Sequence, residues 1–219
     1  MTKKTKRKRK KKVDHDTKQF VWVIVVIAVI FISFLIPYFY AQSLKKFGYL
    51  GLDWTIEKES SSLTFYHARV PKNYNGQFYG YHNVYLRNDP RENNISADVN
   101  ISFYSRVRVS QSPEVLECSN EVLVSSGLGQ ITALFPFIDD VEGTLSDEKT
   151  AKEWNLPFAN CTSEKDTTVI LVQMGNESSV TQEGDDCFVL TFGKCEDNMI
   201  VSEKFIIEIL DQLNFQQKE

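Results

Sequence analysis

Residues 20–40, FVWVIVVIAVIFISFLIPYFY, run for 21 positions without a charged side chain and follow directly on a block of lysine and arginine. A helix rises about 1.5 Å per residue and the hydrocarbon core is about 30 Å thick, so about 20 apolar residues span it. The run has that length, and its expected state is one transmembrane helix. A cleaved signal peptide is the rival reading. Its apolar region is about 7 to 15 residues long and ends in small residues at the cut, whereas here Pro37, Tyr38, Phe39 and Tyr40 precede Ala41. Trp22 and the Tyr38/Tyr40 pair fall at the two ends, where aromatic rings favour the headgroup boundary.

Charge supplies a direction. Residues 1–18 hold ten Lys/Arg against Asp14 and Asp16, a formal +8, while residues 19–219 hold 15 basic and 27 acidic groups, a formal −12. Positive flanks stay cytoplasmic, which predicts an extracytoplasmic body. The basic block also matches a nuclear-localisation or nucleic-acid arm. Beside an apolar span its simpler role is to set topology and touch anionic headgroups, so no nucleic-acid partner is expected.

The organisation expected is a basic cytoplasmic tail over 1–18, a transmembrane helix over 19–41, a juxtamembrane linker over 42–48 and a single α+β domain over 49–215. Residues 63–70, LTFYHARV, read as a half-buried strand ended by Pro71, and KNYNGQFYGYHN reads as a loop before extended structure resumes at 83–87. NDPREN reads as a turn in which Asn88 and Asp89 bond amides two residues on. Residues 99–109 alternate as one strand, with Arg106 and Arg108 on its solvated face. Residues 121–133 read as a helix broken by Gly127 and Gly129, and Ser146 as the cap of a short helix reaching Trp154. Residues 167–174 suit a strand buried on both faces, with residues 187–193 as its partner. Val201, Phe205, Ile206, Ile209, Leu210 and Leu213 recur at helical spacing and predict a closing helix over about 199–214.

Cys118, Cys161, Cys187 and Cys195 all lie in the portion placed outside, and an even number in an oxidising compartment points to two disulfides. The favoured pairing joins Cys187 to Cys195 and Cys118 to Cys161. An extended strand would hold Cys187 and Cys195 about 26 Å apart at about 3.3 Å per residue, so that pairing needs the chain to fold back near Gly193. If the strand stays straight, each must find Cys118 or Cys161. Neither the close pairs of a zinc site nor a redox C-x-x-C occurs. Four acceptor sequons begin at Asn94, Asn100, Asn160 and Asn176. Asn176 is the best placed, in a predicted turn, and Asn160 the worst, beside Cys161.

No nucleophile elbow, zincin helix, P-loop or dinucleotide glycine pattern is present. No cofactor is expected, no metal site is assigned, and no specific small molecule can be inferred. The domain's two histidines, His67 and His82, would form a catalytic or metal cluster with Asp89 only if neighbouring strands brought them together. Asp139 and Asp140, and Asp185 and Asp186, lack the spacing of a calcium loop and read as solvated carboxylates.

FGYLGLDW at 47–54, LTFYHARV at 63–70, YLRNDPREN at 85–93 and the terminal CFVLTFGKCEDNMIVSEKFI resemble segments of uncharacterised, single-anchored extracytoplasmic proteins of archaea. The resemblance covers most of the body and implies a disulfide-bearing extracytoplasmic domain without implying a reaction. Together these readings point to a membrane-anchored binding or accessory protein of the cell envelope, with the lipid bilayer and other envelope proteins as partners. The alternative is an anchored hydrolase or metal-dependent enzyme using His67, His82 and Asp89.

Overall fold

The computed structural model describes residues 3–60, 63–118, 124, 127–129, 132–163 and 165–216, with side chains described between residues 17 and 213. The chain divides into two compact units, Met1–Lys46 and Phe47–Glu219. The first is a helix, α1 (Lys3–Ser43), in which Thr17–Ser43 is long and apolar enough to cross a bilayer. A helix of that length and composition near an N-terminus fits a membrane anchor, and signal sequences can also have it.

The second unit is mixed α+β with two sheets. Strands β1 (Lys46–Tyr49), β2 (Leu52–Lys58), β3 (Thr64–Tyr74) and β4 (Gln77–Leu86) form a four-stranded sheet in that order. The expected end at Pro71 and loop after it are corrected: β3 runs through Pro71 to Tyr74 and turns directly into β4. Asn75 and Gly76 take φ of 50° and 74°, the left-handed pair that a two-residue hairpin turn requires. Pro71 is tolerated because β2 pairs with β3 only between Thr64 and Ala68, so nothing on that side needs the missing N–H. A bulge follows, with Tyr79 and Gly80 facing the single residue Lys72 between the pairs Pro71↔Tyr81 and Asn73↔Phe78.

The second sheet has the order β5-β9-β10-β8-β6-β7, from β5 (Ser96–Asp98), β6 (Arg106–Gln111), β7 (Asp140–Leu145), β8 (Thr168–Met174), β9 (Ser179–Glu183) and β10 (Cys187–Phe192). β10 lies parallel to β8 and antiparallel to β9, so it fills the gap between two strands that precede it in the chain. The connection from β8 to β9 crosses the end of β10 closely. Gly175 N–H donates to Phe192 O at 2.9 Å, and a Cβ at Gly175 would stand 2.4 Å from Thr191 Cγ2.

Both faces of this sheet are covered, as the uninterrupted apolar run in β8 predicts. Ile170, Val172, Phe188, Leu190 and Phe192 join the main core with Trp54, Val84 and Leu86 of the first sheet and with Phe205, Ile209 and Leu210 of α3 (Asn198–Gln216). Val169, Cys187 and Val189 face the other way, against Cys161 and Leu171. On that face a short helix, α2 (Glu148–Trp154), precedes a segment whose Phe158 bridges Leu145 at the end of β7. Its cap is Asp147 rather than Ser146: the Asp147 carboxylate accepts from Thr150 N–H at 2.8 Å.

The strand expected over 99–109 is split, and only Arg106–Gln111 belongs to the ladder. The alternation of inward and outward residues persists over 99–104, but side chains satisfy the backbone there. Ile101 N–H donates to Gln212 Oε1 at 2.6 Å, Asn100 N–H to Gln182 Oε1 at 2.7 Å and Tyr104 N–H to Thr168 Oγ1 at 2.8 Å. Arg108 is corrected from solvated to buried. It lies 8% exposed between strands and donates through Nη2 to Asp140 at 2.8 Å, so Asp140 is no free loop carboxylate either. Of the broken helix expected over 121–133, most lies outside the described residues; Val124 and Gly127–Gly129 are helical, and Thr132–Leu134 is a 3-10 turn.

The favoured disulfide pairing is corrected as well. Cys118 bonds Cys195 and Cys161 bonds Cys187, because β10 stays straight to Phe192 and holds Cys187 and Cys195 at opposite ends. No free cysteine remains among the described residues.

Candidate functional site

The His67, His82 and Asp89 constellation is not assembled. His67 pairs with Tyr85 and His82 with Val70, so the alternation of the strands sends the two imidazoles to opposite faces of the sheet. His67 Nδ1 lies 3.0 Å from Glu57 Oε1 and Nε2 lies 3.2 Å from Asn83 Oδ1, while its ring stacks on Tyr85 at 4.5 Å. His82 is half-buried, and burial followed by the nearby Lys72 ammonium pushes its pKa below the usual value. Asp89 accepts from Arg91 N–H at 3.0 Å and from Arg91 Nε at 2.9 Å, and the hydrogen bond from the Arg91 side chain holds its pKa low. This is the expected turn capping. Asn88 instead donates its side-chain amide to Glu203. Among the described residues no group of three or more His, Cys, Asp or Glu could hold a metal ion.

A concave feature of the domain lies where the hairpin tip meets the connector after β5 and the end of α3. An open cleft of about 720 Å³ is lined there by Asn73–Gly76, Ile101–Phe103, Phe135, Phe137, Ile209, Gln212 and Leu213. None of these residues carries a formal charge. The size suits a small ligand or a short stretch of chain, and the mixture of aromatic, aliphatic and neutral polar groups is that of a binding pocket.

Its aromatic wall is a continuation of the core. Phe205 and Phe188 pack at 5.2 Å between centroids, Phe188 and Phe103 at 5.6 Å, Phe103 and Phe135 at 4.7 Å, Phe135 and Phe137 at 5.8 Å, and Phe137 and Tyr74 at 5.2 Å. This row of rings leads from the fully buried Phe205 to the exposed Tyr74. Each pair lies within the spacing at which aromatic rings attract one another, so the wall is held in place from behind. Gln212 is fixed as well, donating to Val99 O at 2.9 Å while accepting from Ile101 N–H. Tyr74 and Ser102 are the hydroxyl groups of the lining, and no imidazole, carboxylate or amine stands among the lining residues to activate them.

The opposite face of the hairpin is aromatic too. Phe78 meets Tyr81 at 5.1 Å, Arg69 lies over the Tyr81 ring at 4.7 Å, and Phe65 meets Tyr85 at 6.4 Å. Phe78, Tyr81 and Tyr85 are each more than half exposed.

Sequence reading missed the cleft because four separate segments build it, and one of them was read as a loop. The Asn-Gly pair at 75–76 between aromatic runs was the signal that locates the hairpin. Of the sequons, Asn94, Asn100 and Asn176 are exposed, while Asn160 is half-buried and accepts from Thr162 N–H at 2.9 Å. No protein-family model matches this chain, no curated protein matches it significantly, and no solved structure matches its fold.

Proposed function

We propose that the chain is a single-pass, membrane-anchored protein whose disulfide-bonded domain stands outside the cytoplasm and binds an uncharged, partly apolar ligand or partner segment as an accessory protein of the cell envelope. The observation that carries this reading is the cleft, with an aromatic wall anchored in the core and a lining in which no side chain carries a formal charge. A charged ligand would lose its hydration there without a counter-charge, whereas an apolar group flanked by amides or hydroxyls would find matching partners in Phe137, Asn73 and Gln212. Location is supported by three features that agree: the apolar helix, the charge split of +8 and −12 about it, and disulfides confined to the acidic side.

The location is tested by extracting membranes of expressing cells with alkaline carbonate and by treating intact spheroplasts with protease. The anchored chain stays in the pellet and loses its domain to the protease; a soluble or protected domain ends the reading. Binding is tested by methyl NMR of the full chain in nanodiscs. An alkyl glucoside below its micellar concentration shifts Ile101, Ile209 and Leu213, an alkyl carboxylate does not, and Phe137→Lys abolishes the response. Equal response to both amphiphiles would overturn the proposed selectivity.

A further inference from the structure

Among the described residues four strands lie at sheet edges, and three of them carry the features that keep edges from pairing with other chains. β1 has four residues and Lys46, β5 has three and Asp98, and β7 has six with Asp140 and Glu142, its end being covered by Phe158. Short length, charge and cover are the usual means of blunting an edge. β4 is ten residues long, QFYGYHNVYL, and contains no Asp, Glu, Lys, Arg or Pro. The bulge at Tyr79 and Gly80, where Gly80 takes a φ of 109°, removes only the hairpin end from regular pairing. Tyr81–Leu86 remains, six residues, which is about the ordinary strand length.

We infer that β4 is a self-association edge, at which a second copy of this chain pairs antiparallel through residues 81–86 and extends the four-stranded sheet across a two-fold axis. Charge selects a second copy as the occupant. Two copies of a body with formal charge −12 repel through most of their surfaces, and an isologous contact sets one patch against the same patch of the other copy, so charges of one sign within it are brought together. Among the described residues β4 is the edge strand where this juxtaposition sets no carboxylate or ammonium of the strand against its own kind. Its outward side chains are suited to such a contact. Tyr81 and Tyr85 are 57% and 53% exposed and already ordered by Arg69 and His67, so each copy meets prearranged rings with little further loss of side-chain freedom. The ladder has a natural stop at Leu86, since the next amides, Arg87 N–H and Asn88 N–H, are taken by the Glu203 carboxylate.

The test uses the full chain in membranes of expressing cells. All four native cysteines are in disulfides, so an introduced cysteine is the thiol that a short bismaleimide reads. Asn83→Cys on β4 gives a cross-linked dimer, and Asp98→Cys on the β5 edge gives at least tenfold less. Adding Tyr81→Lys and Tyr85→Lys to Asn83→Cys removes the dimer. Co-expression of that chain with one carrying Asn83→Cys, Tyr81→Glu and Tyr85→Glu restores it as a heterodimer, which shows that both variants fold. No cross-link at Asn83→Cys, equal cross-linking at both edges, or a dimer indifferent to the lysines overturns the inference, as does failure of the lysine and glutamate chains to cross-link together.

Discussion

The side-chain amide of Asn88 donates to the carboxylate of Glu203 at 2.7 Å, joining the turn after β4 to α3 across 115 positions of sequence. The same carboxylate accepts from the backbone N–H groups of Arg87 and Asn88. Glu203 is only 3% exposed, and these donors offset the cost of burying it. They do not offset it fully: burial pushes its pKa up, against the opposing hydrogen bonds from Arg87 and Asn88.

A raised carboxyl pKa in the folded state makes folding take up a proton. The contribution of Glu203 is therefore fully present below its unfolded value of about 4.3, and is lost as pH rises through the higher folded value. Urea unfolding measured at several pH values should show this loss beginning above about pH 4. Glu203→Gln should remove that component of the pH dependence. It should also lower stability at low pH by about 1–3 kcal/mol, because one amide nitrogen then faces backbone donors.

The two disulfides close loops of unequal length, with separations of 77 and 26 residues. Chain-entropy reasoning assigns a loss of about 4–5 kcal/mol to removal of Cys118–Cys195 and about 3–4 kcal/mol to removal of Cys161–Cys187. Paired Cys→Ser variants compared by denaturant unfolding should keep that order. Mass spectrometry of unreduced peptides should find the same two links; a peptide joining Cys187 to Cys195 would contradict the fold.

Gly175 has no room for a side chain, since an added Cβ would meet Thr191 Cγ2 at 2.4 Å. Gly175→Ala should destabilise by about 1–3 kcal/mol, the usual range for overpacking. Thr191→Ser deletes the obstructing methyl and should recover most of that loss in the double variant. Additive losses would show that the methyl is not the obstacle.

Gly76 is the opposite case. Nothing lies within 4 Å of its Cβ position, and its φ of 74° is the constraint. Gly76→Ala should cost about 1–2 kcal/mol through backbone strain alone, and Gly76→Asn distinctly less. Thermal unfolding of the two variants separates them. Equal losses would point to a contact rather than to the backbone.

Elements built from one local pattern were legible in the sequence. β8 announced itself by TVILVQM and α3 by the spacing of Val201, Phe205, Ile209 and Leu210, because burial on two faces or one stripe writes itself into consecutive residues. What depended on partners was not. Glu203 stands outside the apolar spacing read for α3 and is buried because a distant turn covers it. Arg108 reads as solvated and is buried because β7 and β8 flank its strand. The sheet order that decides the disulfides leaves no trace in the periodicity of β10, and the cleft exists only once Tyr74, Phe103, Phe137 and Gln212 have been brought together.

The place of β10 between β8 and β9 has a consequence for the chain as it is synthesised. While residues up to Glu183 have emerged, β8 and β9 have no common neighbour, and the inner edges of both wait for a strand not yet made. Cys118 and Cys161 wait likewise, because their partners at 187 and 195 belong to that strand and to the turn just after it. Neither covalent tie of the mature protein can be made before the centre of the sheet is delivered, so correct oxidation is a record that the last strand found its slot.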